Sequence, residues 1–451
     1  MKIQSVKGTR DFYPEAMRLR NWIVDAWRRV SLRNGFEEYD APIFEYLDLF
    51  TIKSGDEIAE QLFGFTDRGG RQLAIRPEIT PSLARMVNAK INSLRRPMKW
   101  FSVPRLCRAE NPQKGRLREF FQWNIDIVGS DDVLADAECI LVCVDFLREV
   151  GLTSRDVQVR IGSRPLTVAK LVSIGVAPDD IDTLLPVLDK RPKVSDEEFD
   201  KLCRAAGLND AQAREVRRFG DLSNREVIDE LRSLDGVQKE VDDLEKLWGY
   251  LEAMGAAEFC RVDMRIVRGL AYYTGIVYEV FDASQSLRAI AGGGRYDNLL
   301  EVLGGPKLGA TGFGMGDVVL GILLAEKNRV PDLTQSLDFF VIDDGENSIL
   351  PTLKLVAALR EGGWSADYSF KRQKTPKQLK EALNRGAAVA IFVQEEPESF
   401  SPEGIVLRIK NLRNEQQYPT RLFPGEFLER PELKNVKNID QFLDRLGLAG
   451  R

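Results

Sequence analysis

The chain has 451 residues and contains no histidine. Without imidazole, serine–histidine–aspartate triads, histidine-ligated zinc and imidazole general bases are all excluded. Any chemistry must therefore use carboxylates, arginine, lysine, tyrosine, backbone groups or a bound ion.

Cysteine is scarce: there are five cysteines, an odd number, and none has CxxC spacing. Cys139 and Cys143 lie four residues apart, which on a helix places them on one face. No other soft ligand lies nearby, so the spacing predicts two small core residues and no metal site.

Long apolar runs are also missing, so we expect no membrane-spanning segment and no membrane partner. The first residues, "MKIQSVKGTRDFYPEAM", lack the apolar stretch and small-residue cleavage site of a signal peptide. We therefore expect a cytoplasmic protein. The length predicts two or three domains, and 43% apolar and 29% charged residues are typical of a globular chain.

Periodicity predicts the elements of the first 162 residues. Apolar residues recur at helical spacing from Glu15 to about Arg33, where Asn34-Gly35 ends the pattern. Two alternating runs joined across residues 67–70 predict a hairpin, and helices are expected at Thr80 to about Asn92 and at Ala135–Val150. "KWFSVPRLCRAE" and "REFFQWNIDIVG" read as antiparallel strands.

The rest of the chain changes character twice. Residues 163–258 are charged and helical, which indicates an insertion in a mainly antiparallel domain that resumes at 259–326. Residues 327–336 read as a linker, and strands alternate with helices over 337–451. We therefore predict an α+β fold with an antiparallel sheet core and flanking helices, followed by a C-terminal α/β domain.

Positive charge is concentrated in "RAENPQKGRLREF", residues 108–120, although the whole chain carries a net charge of −5. A basic hairpin loop over a sheet can clamp a nucleotide, because guanidinium groups bind phosphate oxygens bidentately. A solvated hairpin with arginine–glutamate pairs is the alternative, and composition alone favours it.

Two further motifs contain polar groups near predicted strand ends. In "IRPEIT", Glu78 is placed to hold an ammonium group, but the spacing alone favours a helix start capped by Thr80. In "VRGLAYYTG", Tyr272 and Tyr273 would face opposite sides of a strand, so only one of them need line a pocket. A plain strand is the alternative for this motif.

Two glycine-rich motifs complete the set. "AGGGRYD" lets a backbone approach a ligand or a neighbouring strand closely, or it forms a tight turn from a strand to a helix. It matches neither a dinucleotide fingerprint nor a P-loop. "GFGMGDVVL" reads as a strand entering an apolar helix, with glycines that leave room for a flat ring.

Taken in order, these motifs resemble the catalytic core of class II aminoacyl-tRNA synthetases, and specifically the histidyl-tRNA synthetase family. "GFEEYDAPIFE" is similar to the dimer-forming motif 1, and "RAENPQKGRLREFFQ" is similar to motif 2. "RGLAYYTG" and "GGGRYD" resemble the two histidine-specific motifs, and "GFGMGDVVL" occupies the place of motif 3. Residues 337–451 resemble the family's anticodon-binding domain, and 1–162 with 259–326 its catalytic core.

The resemblance implies that ATP, accompanied by Mg²⁺, activates L-histidine for transfer to tRNA(His) by a homodimer. The implied catalytic residues are Arg108 and Arg268. The implied ATP-binding residues are Arg108, Glu110, Arg116 and Phe120. The implied histidine-binding residues are Glu78, Ile79, Thr80, Arg108, Gln122, Asp126, Arg268, Tyr272 and Tyr273. Basic stretches such as "SFKRQKTPKQLK" would bind tRNA locally.

The chain departs from the family pattern at two positions. Val319 stands where motif 3 usually has an arginine against the γ-phosphate, and Ala271 replaces an aspartate before the tyrosine pair. Two other readings stay open: the histidine-sensing regulatory subunit of ATP phosphoribosyltransferase, and a non-catalytic tRNA-binding module. Retention of motif 2 and of the C-terminal domain argues against the first, and Val319 is the main feature favouring the second.

Overall fold

The computed structural model describes residues 3–52, 61–191, 194–222, 224–266, 273–395, 405–418, 422, 424–429, 436 and 438–448. The chain forms two compact units, Met1–Pro331 and Asp332–Arg451. The division falls inside the segment predicted to be a linker.

Helix α1 (Pro14–Arg33) forms where the sequence predicts it. Proline is tolerated in its first turn because the N–H there has no helical partner, and the helix is followed by Gly35 at φ +76°. Ile23, Trp27 and Val30 are buried on one face. Trp27 stacks on Trp123 at a centroid distance of 6.1 Å, which fixes the helix against the sheet.

The other helices of the first unit either flank the sheets or form the helical region. They are α2 (Asp48–Thr51), α3 (Thr80–Ala89), α4 (Leu134–Glu149), α5 (Arg164–Ser173), α6 (Ile181–Lys190), α7 (Asp196–Ala205), α8 (Asp210–Asp221), α9 (Asn224–Leu231), α10 (Gln238–Ala253), α11 (Leu299–Val302) and α12 (Asp317–Glu326). Single 3₁₀ turns span Pro178–Asp180 and Ala257–Phe259.

The described strands of the first unit form two sheets. They are β1 (Glu37–Glu38), β2 (Phe44–Tyr46), β3 (Phe63–Thr66), β4 (Gln72–Ile75), β5 (Met98–Ser102), β6 (Arg105–Cys107), β7 (Glu119–Val128), β8 (Val157–Ser163), β9 (Cys260–Val262), β10 (Ile276–Asp282), β11 (Ala291–Arg295) and β12 (Ala310–Gly316). The small sheet has the order β2-β4-β3.

The large sheet has the order β1-β5-β7-β12-β11-β10-β8-β9, with β6 paired to the start of β7. Its central pairs are antiparallel, and the parallel pairs β1·β5 and β8·β9 lie at its edges. One face packs on α1, α4 and α10 through side chains such as Trp123, Tyr278 and Phe313. The antiparallel core with flanking helices confirms the predicted α+β fold.

The predicted helical character of 163–258 is confirmed by α5–α10. Part of this region has a hydrophobic cluster of its own, which includes Leu184, Phe199 and Leu208. Cys139 and Cys143 are buried on α4, as predicted for core residues.

The second unit contains β13 (Phe339–Asp344), β14 (Ala366–Tyr368), β15 (Val389–Glu395) and β16 (Ile405–Asn411), with helices α13 (Ile349–Glu361), α14 (Thr375–Asn384), α15 (Pro424–Glu429) and α16 (Ile439–Arg445). Its sheet has the order β14-β13-β15-β16; β13 pairs parallel with β14 and β15, and β16 is antiparallel. The predicted alternation of strands and helices is confirmed.

In "AGGGRYD", residues 291–295 form β11 between β10 and β12, and a Cβ added at Gly293 would collide with the carbonyl oxygen of Gly312. The close approach to a neighbouring strand and the turn into a helix are both confirmed, because residues 296–298 lead directly into α11. One local prediction is wrong. Thr80 does not cap α3 but is its first residue, preceded by Ile79 without a side-chain capping bond. Within the described part of the chain, no helix has both the length and the apolar character needed to cross a bilayer.

Candidate active site

Strand β7 carries the polar groups of the site because its side chains alternate between two faces. Trp123 and Ile125 point into the core of the unit. Gln122, Asn124 and Asp126 share the opposite face, where they pair in register with Gly316, Gly314 and Gly312 of β12. A polar strip therefore runs beside a strip without side chains.

The glycines keep the middle of this face open. A Cβ added at Gly314 would lie 2.7 Å from Cδ of Gln122, and one added at Gly294 would lie 3.0 Å from a ring carbon of Tyr273. Side chains at these positions would collide with their neighbours. Gly292 and Gly294 of β11 and Gly312, Gly314 and Gly316 of β12 thus form a surface without side chains, which we call the glycine floor. The sequence predicts room for a flat group here.

A cavity of about 600 Å³ opens over Gly292, Gly314 and Gly316 of this floor. Its volume is typical of a small-molecule site. Five of the residues predicted to bind ATP or histidine line it. They are Arg108, Glu110, Arg116, Phe120 and Gln122. Its other walls include Glu279 and Phe281 of β10, the loop that follows them, and Val318 and Val319 of α12.

The basic segment is a long hairpin loop between β6 and β7, as predicted. Gln113 and Arg116 exchange backbone hydrogen bonds of 2.9 Å across a two-residue turn. Gly115 has φ +78° there, which favours glycine. Arg116 pairs with Glu110 within the loop. The alternative to nucleotide binding is a solvated hairpin with arginine–glutamate pairs. Such a pair is present, but both of its residues line the cavity.

Arg108 joins this hairpin to the turn before α3. Its Nε donates a hydrogen bond of 3.0 Å to the carbonyl of Pro77, and its guanidinium lies 5.4 Å from the ring centre of Phe120. The same turn carries Glu78 and Ile79, both buried, while Thr80 is half-buried. These three residues are not in the described lining of the cavity.

Asp126 is a buried carboxyl on the polar strip. One of its oxygens accepts a hydrogen bond of 2.5 Å from the Tyr296 hydroxyl. The other has no hydrogen-bond partner among the described residues. Burial raises the pKa of Asp126 to about 7, the nearby Glu78 adds to the rise, and the Tyr296 hydrogen bond opposes it. The group is therefore close to equally protonated and ionised near neutral pH.

Of the three remaining predicted residues, the structure describes Tyr273. Tyr273 is buried among the side chains beside the glycine floor. Arg268 and Tyr272 lie outside the described residues, as does Ala271.

The sequence reasoning missed several residues of the site. Tyr296 lies within "AGGGRYD", but the motif does not indicate its hydrogen bond to Asp126, which lies 170 positions away in the sequence. Asp317 was also missed. One carboxylate oxygen of Asp317 accepts a hydrogen bond of 2.9 Å from the backbone N–H of Phe121. The other forms an ion pair of 2.7 Å with Arg10. Asp317 therefore fixes the start of β7. No local sequence pattern signals such long-range pairs.

The described residues contain no cluster of three or more acidic or cysteine side chains suited to a metal ion. Carboxylate oxygens at the cavity come from Glu110 and Glu279. Glu110 pairs with Arg116, so Glu279 is the carboxylate that suits a Mg²⁺ ion taking its remaining ligands from phosphates and water.

Comparison with known proteins identifies the family. The family profile described as Histidyl-tRNA synthetase matches residues 8–316. A histidine–tRNA ligase from Opitutus terrae is 41% identical over 420 residues, covering 92% of this chain and 96% of the relative. One from Haloarcula marismortui is 35% identical over 435 residues, covering 96% and 99%.

Solved structures agree in fold. A histidyl-tRNA synthetase from Nostoc superposes with a TM-score of 0.78 at 21% identity, covering 95% of this chain and 98% of that one. With the cavity, its basic hairpin and the matched profile taken together, the chain belongs to the histidyl-tRNA synthetase family.

Proposed function

We infer that the chain is a histidine–tRNA ligase. It activates L-histidine with ATP to histidyl-adenylate and pyrophosphate, and then transfers the histidyl group to the 3′ end of tRNA(His) with release of AMP. One observation carries the inference: a single cavity has an arginine-bearing hairpin as one wall and a glycine floor. Polar groups that suit an amino acid lie alongside that floor.

Arginines suit the first step because of its chemistry. A carboxylate oxygen of histidine attacks the α-phosphorus of ATP, a new P–O bond forms, and the bond to pyrophosphate breaks. Such a displacement depends on positioning and on stabilisation of charge more than on proton transfer. A protein without histidine can therefore supply what the reaction needs.

We assign the ATP contacts to the hairpin. Arg108, held by Pro77 and lying near the Phe120 ring, would bind the α-phosphate, and Phe120 would stack on adenine. Glu110 would accept a hydrogen bond from the adenine of ATP. Arg116 would reach the outer phosphates, in competition with its pairing to Glu110. ATP would enter with Mg²⁺, for which Glu279 offers an oxygen ligand at the cavity wall.

We assign the histidine contacts to the strip beside the hairpin. Glu78, Thr80 and Gln122 would hold the α-amino group, next to the Ile79 backbone. Asp126 would accept a hydrogen bond from the imidazole N–H on the oxygen that has no described partner. A site built around such a bond rejects analogues that cannot make it.

The proposed roles of three further residues come from the family resemblance. Tyr273, with Tyr272 beside it, would contact the imidazole, and Arg268 would contact the α-phosphate at the reacting centre.

Binding of tRNA is assigned in part to the second unit. Lys371, Lys374, Lys377 and Lys380 are exposed along and before α14, and clustered lysines attract a phosphate backbone. We propose that residues 337–451 form the anticodon-binding domain, and that the insertion spans 163–258.

Dimerisation is proposed from the small sheet. Phe44 and Tyr46 of β2 and Phe65 of β3 are exposed, with Ile43 beside them. Exposed apolar groups that cluster mark protein interfaces, and motif 1 of the family lies in this region. We therefore propose a homodimer, located in the cytoplasm.

ATP–pyrophosphate exchange with each amino acid in turn tests the function. We expect exchange with histidine alone, and its loss in Arg268→Ala. A histidine-sensing regulatory subunit would bind histidine without exchange, and a tRNA-binding module would bind tRNA without exchange. Either result would contradict the inference.

A further inference from the structure

We propose that Arg288 binds the outer phosphates of ATP, an assignment that rests on the function proposed above. Arg288 lies in the loop between β10 and β11 and lines the cavity. It lies outside the five motifs described above.

The charges around the cavity single out this residue. Arginines in the described lining are Arg108, Arg116 and Arg288. Arg108 donates to the Pro77 carbonyl, and Arg116 pairs with Glu110. Arg288 is exposed and makes no hydrogen bond or ion pair with another described residue. Several guanidinium groups together bind a triphosphate well. Among the arginines of the described lining, Arg288 is the one whose N–H groups donate to no described residue.

The backbone on both sides of Arg288 is fixed. Buried Asp282 accepts hydrogen bonds of 2.9 Å from the N–H of Leu287 and 3.1 Å from that of Ser286. After the loop, the N–H of Ile290 donates to Val280 at 2.7 Å. Only the Arg288 side chain would need to become ordered on binding, which limits the entropic cost.

The loop also ends beside the helix start that carries Val319. The N–H of Gly316 donates to the carbonyl of Ile290 at 3.3 Å, and α12 begins at the next residue, Asp317. Val318 and Val319 line the cavity from this helix. Arg288 therefore lines the cavity close to Val319, where the chain has an apolar side chain and not a cation.

Lys114 is the competing candidate, and the geometry argues against it. It is largely exposed, lies 3.6 Å from Glu326, and does not belong to the described lining of the cavity.

The test compares Arg288→Ala with Arg288→Lys, Lys114→Ala and a control, Arg155→Ala, which removes an exposed arginine outside the cavity lining. In histidine-dependent exchange, Arg288→Ala should raise KM for ATP about 10- to 100-fold, the range for a lost charged hydrogen bond. Arg288→Lys should have a smaller effect, and the other two should stay within about twofold of wild type, as for surface substitutions.

A second readout isolates the outer phosphates. A non-hydrolysable histidyl-adenylate analogue lacks them, so calorimetry should show unchanged affinity for it in Arg288→Ala. An unchanged KM for ATP, an equal loss of affinity for the analogue, or a larger effect of Lys114→Ala would each overturn the assignment.

Failure of the proposed function gives a different pattern. If the wild type exchanges with no amino acid, that function is wrong. Calorimetric ATP binding by Arg288→Ala and Arg155→Ala then decides the Arg288 assignment separately, and equal affinities would overturn it.

Discussion

At the scale of single residues, Asp126 combines a proposed role in binding histidine with a cost to folding. Its carboxyl is buried beside Glu78, and one oxygen has no described hydrogen-bond partner. A buried carboxylate is unfavourable unless it is paired, and an imidazole N–H from the substrate would supply the pairing group. The same oxygen that we propose as a partner for histidine thus lowers the stability of the free protein at high pH.

The pKa of Asp126 gives a signed prediction. Because its pKa is about 7 in the folded chain and near 4 when unfolded, the folded state binds the extra proton. That contribution to stability is present below the unfolded pKa and is lost as pH rises through 7. Between pH 5 and pH 8, the free energy of unfolding of the wild type should fall by on the order of 2 kcal/mol relative to Asp126→Asn.

Urea unfolding of both proteins at several pH values measures this difference. Asparagine at position 126 retains an oxygen that can accept from Tyr296, so the hydrogen bond need not be lost. Parallel pH curves for the two proteins would show that Asp126 titrates normally.

At the scale of elements, the glycine floor depends on three adjacent strands. Gly312 and Gly314 of β12 lie between β7 and the glycines of β11. The floor can accept a flat group only while these positions lack side chains. A single added methyl group should therefore change ligand binding more than it changes the fold.

Gly314→Ala tests the floor. Its Cβ would press on the flexible end of Gln122, so the fold should adjust, while kcat/KM for exchange should fall about tenfold, as for one misplaced methyl group in a pocket. Gly321→Ala in α12 is the control, since no described atom outside the helix's own backbone lies within 4 Å of the added Cβ. The control should keep full activity and gain about 0.5–1 kcal/mol in stability. Equal activity of the two variants would argue against a ligand on the floor.

The elements also show how far the sequence could predict the structure. Helix α1 and the β3–β4 hairpin follow from local periodicity and turn residues, and they were predicted nearly to their ends. For "AGGGRYD", the sequence predicts a close backbone approach and the turn into α11, but it does not show that the glycines pair on both sides, with β10 and β12.

Parts of the candidate site could not be predicted from local sequence patterns, because they depend on pairs of residues that are far apart in the sequence. The hairpin arginines stand out by charge, but the Tyr296–Asp126 and Arg10–Asp317 pairs join segments 170 and 307 positions apart. The Arg288 loop has no unusual composition, and only the folded sheet brings it to the cavity.

At the scale of the whole molecule, each unit has its own core. Side chains of the first unit pack around β7, β10 and β12, and those of the second around β13, β15 and β16. All the described residues of the candidate active site belong to the first unit. Activation of histidine and binding of tRNA should therefore be separable by mutation.

Charge reversal on α14 tests this separation. Lys377→Glu should raise KM for tRNA in aminoacylation about three- to tenfold and reduce its salt dependence, because a phosphate contact is lost. Exchange should be unaffected. Lys354→Glu on α13, also exposed, is the matched control and should leave both reactions unchanged. Equal effects of the two variants would contradict tRNA binding at α14.

The most direct measurement of the central claim is a crystal structure with a non-hydrolysable histidyl-adenylate analogue. The proposed function predicts an imidazole N–H donating to Asp126, the α-phosphate group at Arg108 and adenine against Phe120, above the glycine floor. An analogue bound in the cavity with its imidazole away from Asp126, or bound elsewhere on the chain, would contradict the account.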